Sequence, residues 1–192
     1  GEFMPLPKQK DYTIEDIYAL PDGERAELID GQIYYMAPPT RTHQRIVTEL
    51  TVVIHEYIKK NHGKCEVNAS PFAVFLDSLK DKTQNYVEPD ISVICDNEKL
   101  DDKGCHGSPD WVIEVVSPSS RRLDYGRKQA LYLENAVKEY WVVDAARQTV
   151  TVYNLMDDWI PSIYGFADKV RAGLFEGLEI DFTEIKKFVG GE

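Results

Sequence analysis

Cysteine is scarce: Cys65, Cys95 and Cys105 are all that 192 residues provide. An odd set with no Cys-x-x-Cys pair argues against a zinc knuckle and reads as reduced structural thiols. Long apolar runs are also missing. No stretch approaches the ~20 residues of a membrane-spanning helix. The N-terminus carries no apolar signal segment, so the expected location is the cytoplasm, with no membrane partner. Positive charge is in deficit as well, and the formal net charge of −11 argues against a protein that coats nucleic acid by general electrostatics. It leaves room for an enzyme that meets phosphates through a bound metal and a local basic patch. Internal repeats and low-complexity segments are absent.

What is present fits one α/β domain. A hydrophobic share of 43% is enough for a core and too high for a disordered chain. The length leaves little room for a second domain, so residues 11–189 form the expected unit. Residues 1–10 read as a flexible N-terminus that opens with a cloning remnant, Gly1-Glu2-Phe3, ahead of Met4. Residues 190–192 read as a tail.

Along the chain, Thr13 to Leu20 predicts a short helix with a capping box from Thr13 and Asp16. Asp30-Gly31 between two apolar runs predicts a tight hairpin. Ile46, Leu50, Val53, Ile54, Tyr57 and Ile58 share one stripe of a long helix over 42–61, which Gly63 is placed to end. Strands are expected over 65–76, bent at Pro71, over 86–95, and over 111–116. The last is almost wholly apolar, as in a strand covered on both faces. The polar stretch 96–110 reads as a loop. A helix over 124–136, a strand over 140–143 and a pairing strand over 150–154 follow, then edge pieces to Phe182. The central order is helix, three strands, helix, strand, which predicts a mixed sheet flanked by helices.

Glu114 is the local anomaly. It sits inside Trp111-Val112-Ile113-Glu114-Val115-Val116, where a carboxylate is costly unless something pairs with it. A structural ion pair is one reading, and a metal or catalytic partner is the sharper one. Asp90, after Pro89 at the head of the preceding strand, is the natural second ligand. Mg²⁺ typically takes one or two carboxylates plus water and substrate phosphate, and a divalent cation relieves the repulsion of two converging carboxylates.

Pro89-Asp90, Glu114-Val115-Val116-Ser117-Pro118-Ser119, Asp124, Lys128, Tyr132 and Tyr140-Trp141 together resemble the Uma-two family. That family belongs to the PD-(D/E)XK restriction-endonuclease-like superfamily. Glu27-Leu28-Ile29-Asp30-Gly31 and His43 also fit its pattern, and the resemblance runs from about Tyr12 to Phe188. It implies a restriction-endonuclease-like core of αβββαβ order, with an N-terminal helix and hairpin and C-terminal strand additions. It implies an endonuclease that hydrolyses phosphodiester bonds, with Mg²⁺, or Mn²⁺ in its place, as cofactor and DNA as the first-choice nucleic acid. The alternative is a catalytically inactive nuclease fold kept as a nucleic-acid or protein interaction module.

The superfamily motif Glu-x-Lys is broken here, since Val116 stands where the lysine belongs. In the family pattern a helical lysine takes its place, and Lys128 matches it. Asp124, Lys128 and Tyr132 share one helix face, so Asp124 and Tyr132 would orient the ammonium. The resemblance makes Asp90, Glu114 and Lys128 catalytic, with Asp90, Glu114 and the Val115 carbonyl as metal ligands. Glu27 is either an acid near the metal or a surface charge on a hairpin strand. His43 either orients a phosphate or a water, or is merely exposed. Arg121, Arg122 and Arg127 either hold a phosphate backbone or balance an acidic protein. Apolar edge candidates around Trp159 and Tyr164 suggest a homodimer or higher oligomer.

Overall fold

The computed structural model describes residues 10–77 and 84–190. The cloning remnant, residues 4–9 and the last two tail residues lie outside the described residues.

Helix α1 (Ile14–Tyr18) opens with the expected box, in which the Asp16 carboxylate accepts the Thr13 N–H at 2.8 Å. Strands β1 (Ala26–Ile29) and β2 (Gln32–Tyr35) pair antiparallel across Asp30-Gly31. Both turn residues have positive φ (50° and 75°), which Asp tolerates and Gly adopts freely. The long helix α2 (Arg41–Lys60) buries Ile46, Leu50 and Ile54 completely. Each such side chain contributes about 1.5–3 kcal/mol. His62, rather than Gly63, takes the left-handed position after α2, while the Gly63 N–H closes onto the Ile58 carbonyl.

The next two apolar runs each divide. Residues 65–76 become β3 (Glu66–Ala69) and β4 (Val74–Asp77) on either side of a cis Ser70–Pro71 bond. Residues 86–95 become β5 (Gln84–Val87) and β6 (Ile91–Ile94), parted at Pro89. The expected loop over 96–110 holds two short strands, β7 (Leu100–Asp101) and β8 (Gly104–His106). Strand β9 (Trp111–Val115) is buried throughout. A π-helical turn, Leu123–Arg127, leads into α3 (Lys128–Glu134). Strands β10 (Glu139–Asp144), β11 (Thr149–Asn154), β12 (Ser162–Gly165), β13 (Lys169–Arg171) and β14 (Glu179–Asp181) follow, and α4 (Phe182–Lys186) ends the fold.

Among the described residues, β12-β11-β10-β9-β6-β3 form one six-stranded sheet and β2-β1-β5-β4-β8-β7 another. The first contains the predicted core: α2, then antiparallel β3, β6 and β9, then α3, then β10 parallel to β9. This is the restriction-endonuclease-like α/β fold. The second sheet was not foreseen. It sits with α3 over the opposite face of the central sheet from α2, so one hydrophobic core lies on each side.

Two further expectations change. Cys65 and Cys95, just outside the paired ends of β3 and β6, are joined as a disulfide, so only Cys105 remains a free thiol. Trp159 is no edge residue. It is 5% exposed and packs on Tyr153, while Met156, Ile160 and Ile163 carry the exposed apolar surface there. No described helix is long and apolar enough to cross a membrane.

Candidate active site

Strand alternation aims the first two groups. On β9, Val112 and Glu114 share one face, and Val112 belongs to the core under α3 and the second sheet. Glu114 therefore points into that layer. On β1, Ala26 and Leu28 pack against α1, so Glu27 faces the other way, toward the same layer. Lys128, the first residue of α3, reaches between them. Its Nζ donates to Glu114 Oε2 at 2.7 Å and to Glu27 Oε1 at 2.8 Å, with all three side chains 4% exposed. The surface-charge reading of Glu27 is thus replaced by a buried role.

Asp90 stands where the chain passes from β5 in one sheet to β6 in the other. Its N–H donates to Glu114 Oε1 at 3.2 Å, and its Oδ2 accepts the Val115 N–H at 2.7 Å. His43, in the first turn of α2, places Nε2 3.3 Å from Asp90 Oδ1 and is only 13% exposed, so it is not a bystander. Asp124 accepts the Ser120 hydroxyl at 2.6 Å, and its carbonyl accepts from Tyr140 at 2.7 Å.

Four carboxylates (Glu27, Asp90, Glu114 and Asp124) face one lysine and one histidine, and the pKa shifts follow. Burial holds the Glu114 carboxyl well above the usual range; Lys128 opposes this, and the other three acids add to it. Burial likewise pushes Asp124 up to about 6 against the pull of Lys128. Burial alone would lower Lys128, but Glu114 and Glu27 outweigh it and hold the ammonium charged. Burial also works to lower His43. Its hydrogen bond to Asp90, the Asp90 charge, the Gln44 side chain and the Val115 carbonyl leave it raised.

The donor chemistry suits a hard cation. Asp90, Glu114 and the Val115 carbonyl offer only oxygen, and the site holds excess buried negative charge. No group of three or more His, Cys, Asp or Glu side chains is arranged to hold a metal among the described residues. Asp90 and Glu114 fall short of such a group by themselves, and a hard cation there would need the Val115 carbonyl, water and substrate to complete its oxygens.

These groups line a cavity of about 670 Å³ between β2, the start of α2 and the segment after β9. The predicted phosphate grip does not line it. Arg121 is turned onto the buried Asp144 carboxylate, and Arg127 lies 3.6 Å from Asp30. Arg122 is exposed and away from the cavity. Tyr132 gives Lys128 no hydrogen bond; its ring packs on Tyr140 at 4.9 Å, and its buried hydroxyl has no hydrogen-bond partner among the described residues. The guanidinium that does line the cavity is Arg25, which the sequence did not single out. It donates to Glu88 Oε2 at 2.5 Å and to Ser70 at 2.9 Å. Glu88 in turn gives its N–H to Glu27 at 2.9 Å. Ser120 was overlooked too, although it lies one helical turn before Asp124.

The family model described as "Uma2: Putative restriction endonuclease" matches residues 14–183. The uncharacterized protein slr1290 of Synechocystis is 31% identical over 151 residues, which span 77% of this chain and 76% of that protein. The crystal structure of "a putative nuclease belonging to DUF820" from Anabaena variabilis superposes with a TM-score of 0.74 at 20% identity. The match covers 92% of this chain and 98% of that one, and at such identity it bears on the fold alone.

Proposed function

We infer from the Uma2 family, to which this chain belongs, and from its buried ionic centre that the protein is a Mg²⁺-dependent endonuclease acting on DNA. The observation that carries the reading is the meeting of Asp90, Glu114 and Lys128, from the β5–β6 passage, β9 and α3, at the wall of one cavity. Asp90, Glu114 and the Val115 carbonyl would hold the cation. A bound Mg²⁺ supplies a lowered water pKa and charge stabilisation at phosphorus. Lys128 stays charged, so it stabilises developing negative charge and is no general base. Glu27 shares that ammonium with Glu114 and fixes where it points. His43, hydrogen-bonded through Asp90, is placed to orient a water or a phosphate oxygen. Asp124 braces the start of α3 through Ser120 and Tyr140. The exposed Ile163 on the edge strand β12, with the exposed Ile160 just before it, supports a homodimer.

The test is nicking of supercoiled plasmid with Mg²⁺ or Mn²⁺ by wild type, Asp90→Asn and Lys128→Met, with circular dichroism to confirm folding. The expected result is cleavage by wild type alone. Equal activity in all three folded proteins removes the assignment. One observation favours a second reading, a non-catalytic interaction module: both of Lys128's carboxylate partners come from the protein itself, as in an internal ion triad. That reading expects no cleavage with either cation.

A further inference from the structure

The cavity has two chemically different ends. One is the ionic cluster just described. The other is built by β2 and the segment that follows it, with Tyr34, Met36, Pro38 and Pro39 on its wall. Strand register connects the two ends. Tyr34 pairs directly with Glu27 across the hairpin, so both side chains leave the same face with their Cβ atoms about 5 Å apart. Tyr34 is half-buried, its ring rests on the core layer beneath α3, and its hydroxyl has no partner among the described residues. An aromatic face thus stands one side chain away from the ammonium that Glu27 and Glu114 hold.

A nucleotide has the same two ends, a phosphate and an aromatic base. The volume, about 670 Å³, falls in the range that encloses one small molecule. A paired base cannot reach such a wall without leaving its stack. The charges point the same way. Arg121 is tied to the buried Asp144, Arg127 stands 3.6 Å from Asp30 at the surface and outside the cavity, and the protein carries a net charge of −11. Affinity has to come from contacts inside the cavity rather than from a long run of phosphates.

We propose that the cavity accepts one unpaired nucleotide, with its base stacked on Tyr34 and its phosphate at the Asp90–Glu114–Lys128 end. The proposal rests on the nuclease reading above and names its substrate class: single strands, bulges or extruded nucleotides in preference to uninterrupted duplex. The 2′-hydroxyl is no part of the argument, so DNA and RNA single strands share the required chemistry.

The probe is a 12-nucleotide strand with one 2-aminopurine, offered as single-stranded DNA, as single-stranded RNA, as a bulge in a DNA duplex, and fully paired. Anisotropy and 2-aminopurine emission are read in Ca²⁺ with wild type, Tyr34→Ala and Tyr34→Phe. The single strand and the bulge are expected to bind at least tenfold more tightly than the full duplex, with emission quenched on binding. Tyr34→Ala should weaken single-strand binding by roughly 5- to 100-fold and leave duplex binding unchanged, while Tyr34→Phe binds like wild type. The DNA and RNA arms show which sugar is taken. Equal binding of duplex and single strand, unquenched emission, or no binding of any probe overturns the proposal, and so does a folded Tyr34→Ala that binds as wild type. If wild type cuts duplex plasmid while any of these holds, this inference fails and the nuclease reading stands. Tyr34-dependent binding without cleavage in Mg²⁺ or Mn²⁺ has the opposite meaning.

Discussion

Replacing Lys128 with Met keeps most of the side-chain volume and removes only the charge. Two carboxylates then lose their common ammonium inside the protein. Each keeps one backbone donor: Glu27 still accepts from Glu88, and Glu114 from Asp90. Breaking a buried ion pair by deleting one partner costs about 3–5 kcal/mol. For a domain of this size, each kcal/mol lowers Tm by about 2–4 °C, so the variant should melt about 6–20 °C below wild type at pH 8 in EDTA. The pH dependence has a definite sign. Glu114 is already raised in the folded state by burial, and without Lys128 it rises further. A raised carboxyl contributes stability at low pH that is lost as pH climbs through the folded-state value, so the deficit should narrow toward pH 5. The triple variant Glu27→Gln, Lys128→Met, Glu114→Gln removes all three charges together and should stay near wild type. Thermal melts give the Tm shift, and urea unfolding at each pH, followed by tryptophan fluorescence, gives the free energies. A Lys128→Met protein within about 1 kcal/mol of wild type at pH 8, or a deficit that ignores pH, refutes the account of the ionic centre.

Mg²⁺ at ~100 times its Kd should stabilise wild type by about 2.7 kcal/mol, a rise of about 5–11 °C by differential scanning fluorimetry. Asp90→Asn should lose that shift, and a wild-type curve identical in EDTA and Mg²⁺ would count against the cation site. Arg121→Ala should lower stability by about 1–3 kcal/mol, because Asp144 is buried and loses a donor. It should leave oligonucleotide affinity unchanged in an anisotropy titration; a loss of binding would restore the basic-patch expectation. Burial pushes the Cys105 thiol up to about 11, so a disulfide-exchange reagent should barely touch native protein at pH 8. Unfolding should then expose one thiol, and reduction all three.

The core order could be read from the sequence because its elements are long or sharply patterned: the α2 stripe, the wholly apolar β9 and the β10–β11 pair. Glu114 stood out because an apolar strand leaves a carboxylate nowhere neutral to go. The second sheet was hidden because its strands run only two to four residues. Two of them also continue an apolar run whose far half belongs to the other sheet. Alternation through Val87 and Ile91 looks like one strand, and only the turn at Pro89 says otherwise. Arginine direction was hidden for a different reason. Arg121 precedes Lys128 by two helical turns, yet Asp144, 23 positions away along the chain, decides where it points. Arg25 gave no signal, since its partners Glu88 and Ser70 are 63 and 45 positions away. Tyr132 fits the helix-face spacing and lies close enough to feel the charges of Glu114 and Lys128, but its hydroxyl forms no hydrogen bond to the ammonium among the described residues.

The two passages from sheet to sheet, after β3 and after β5, lie side by side, with the Ser70 N–H on the Asp90 carbonyl and Arg25 tied to both strands through Ser70 and Glu88. Glu27 belongs to one sheet and Glu114 to the other, and Lys128 rivets them together. The spacing of the acidic pair is therefore a gauge of how tightly the layers are closed.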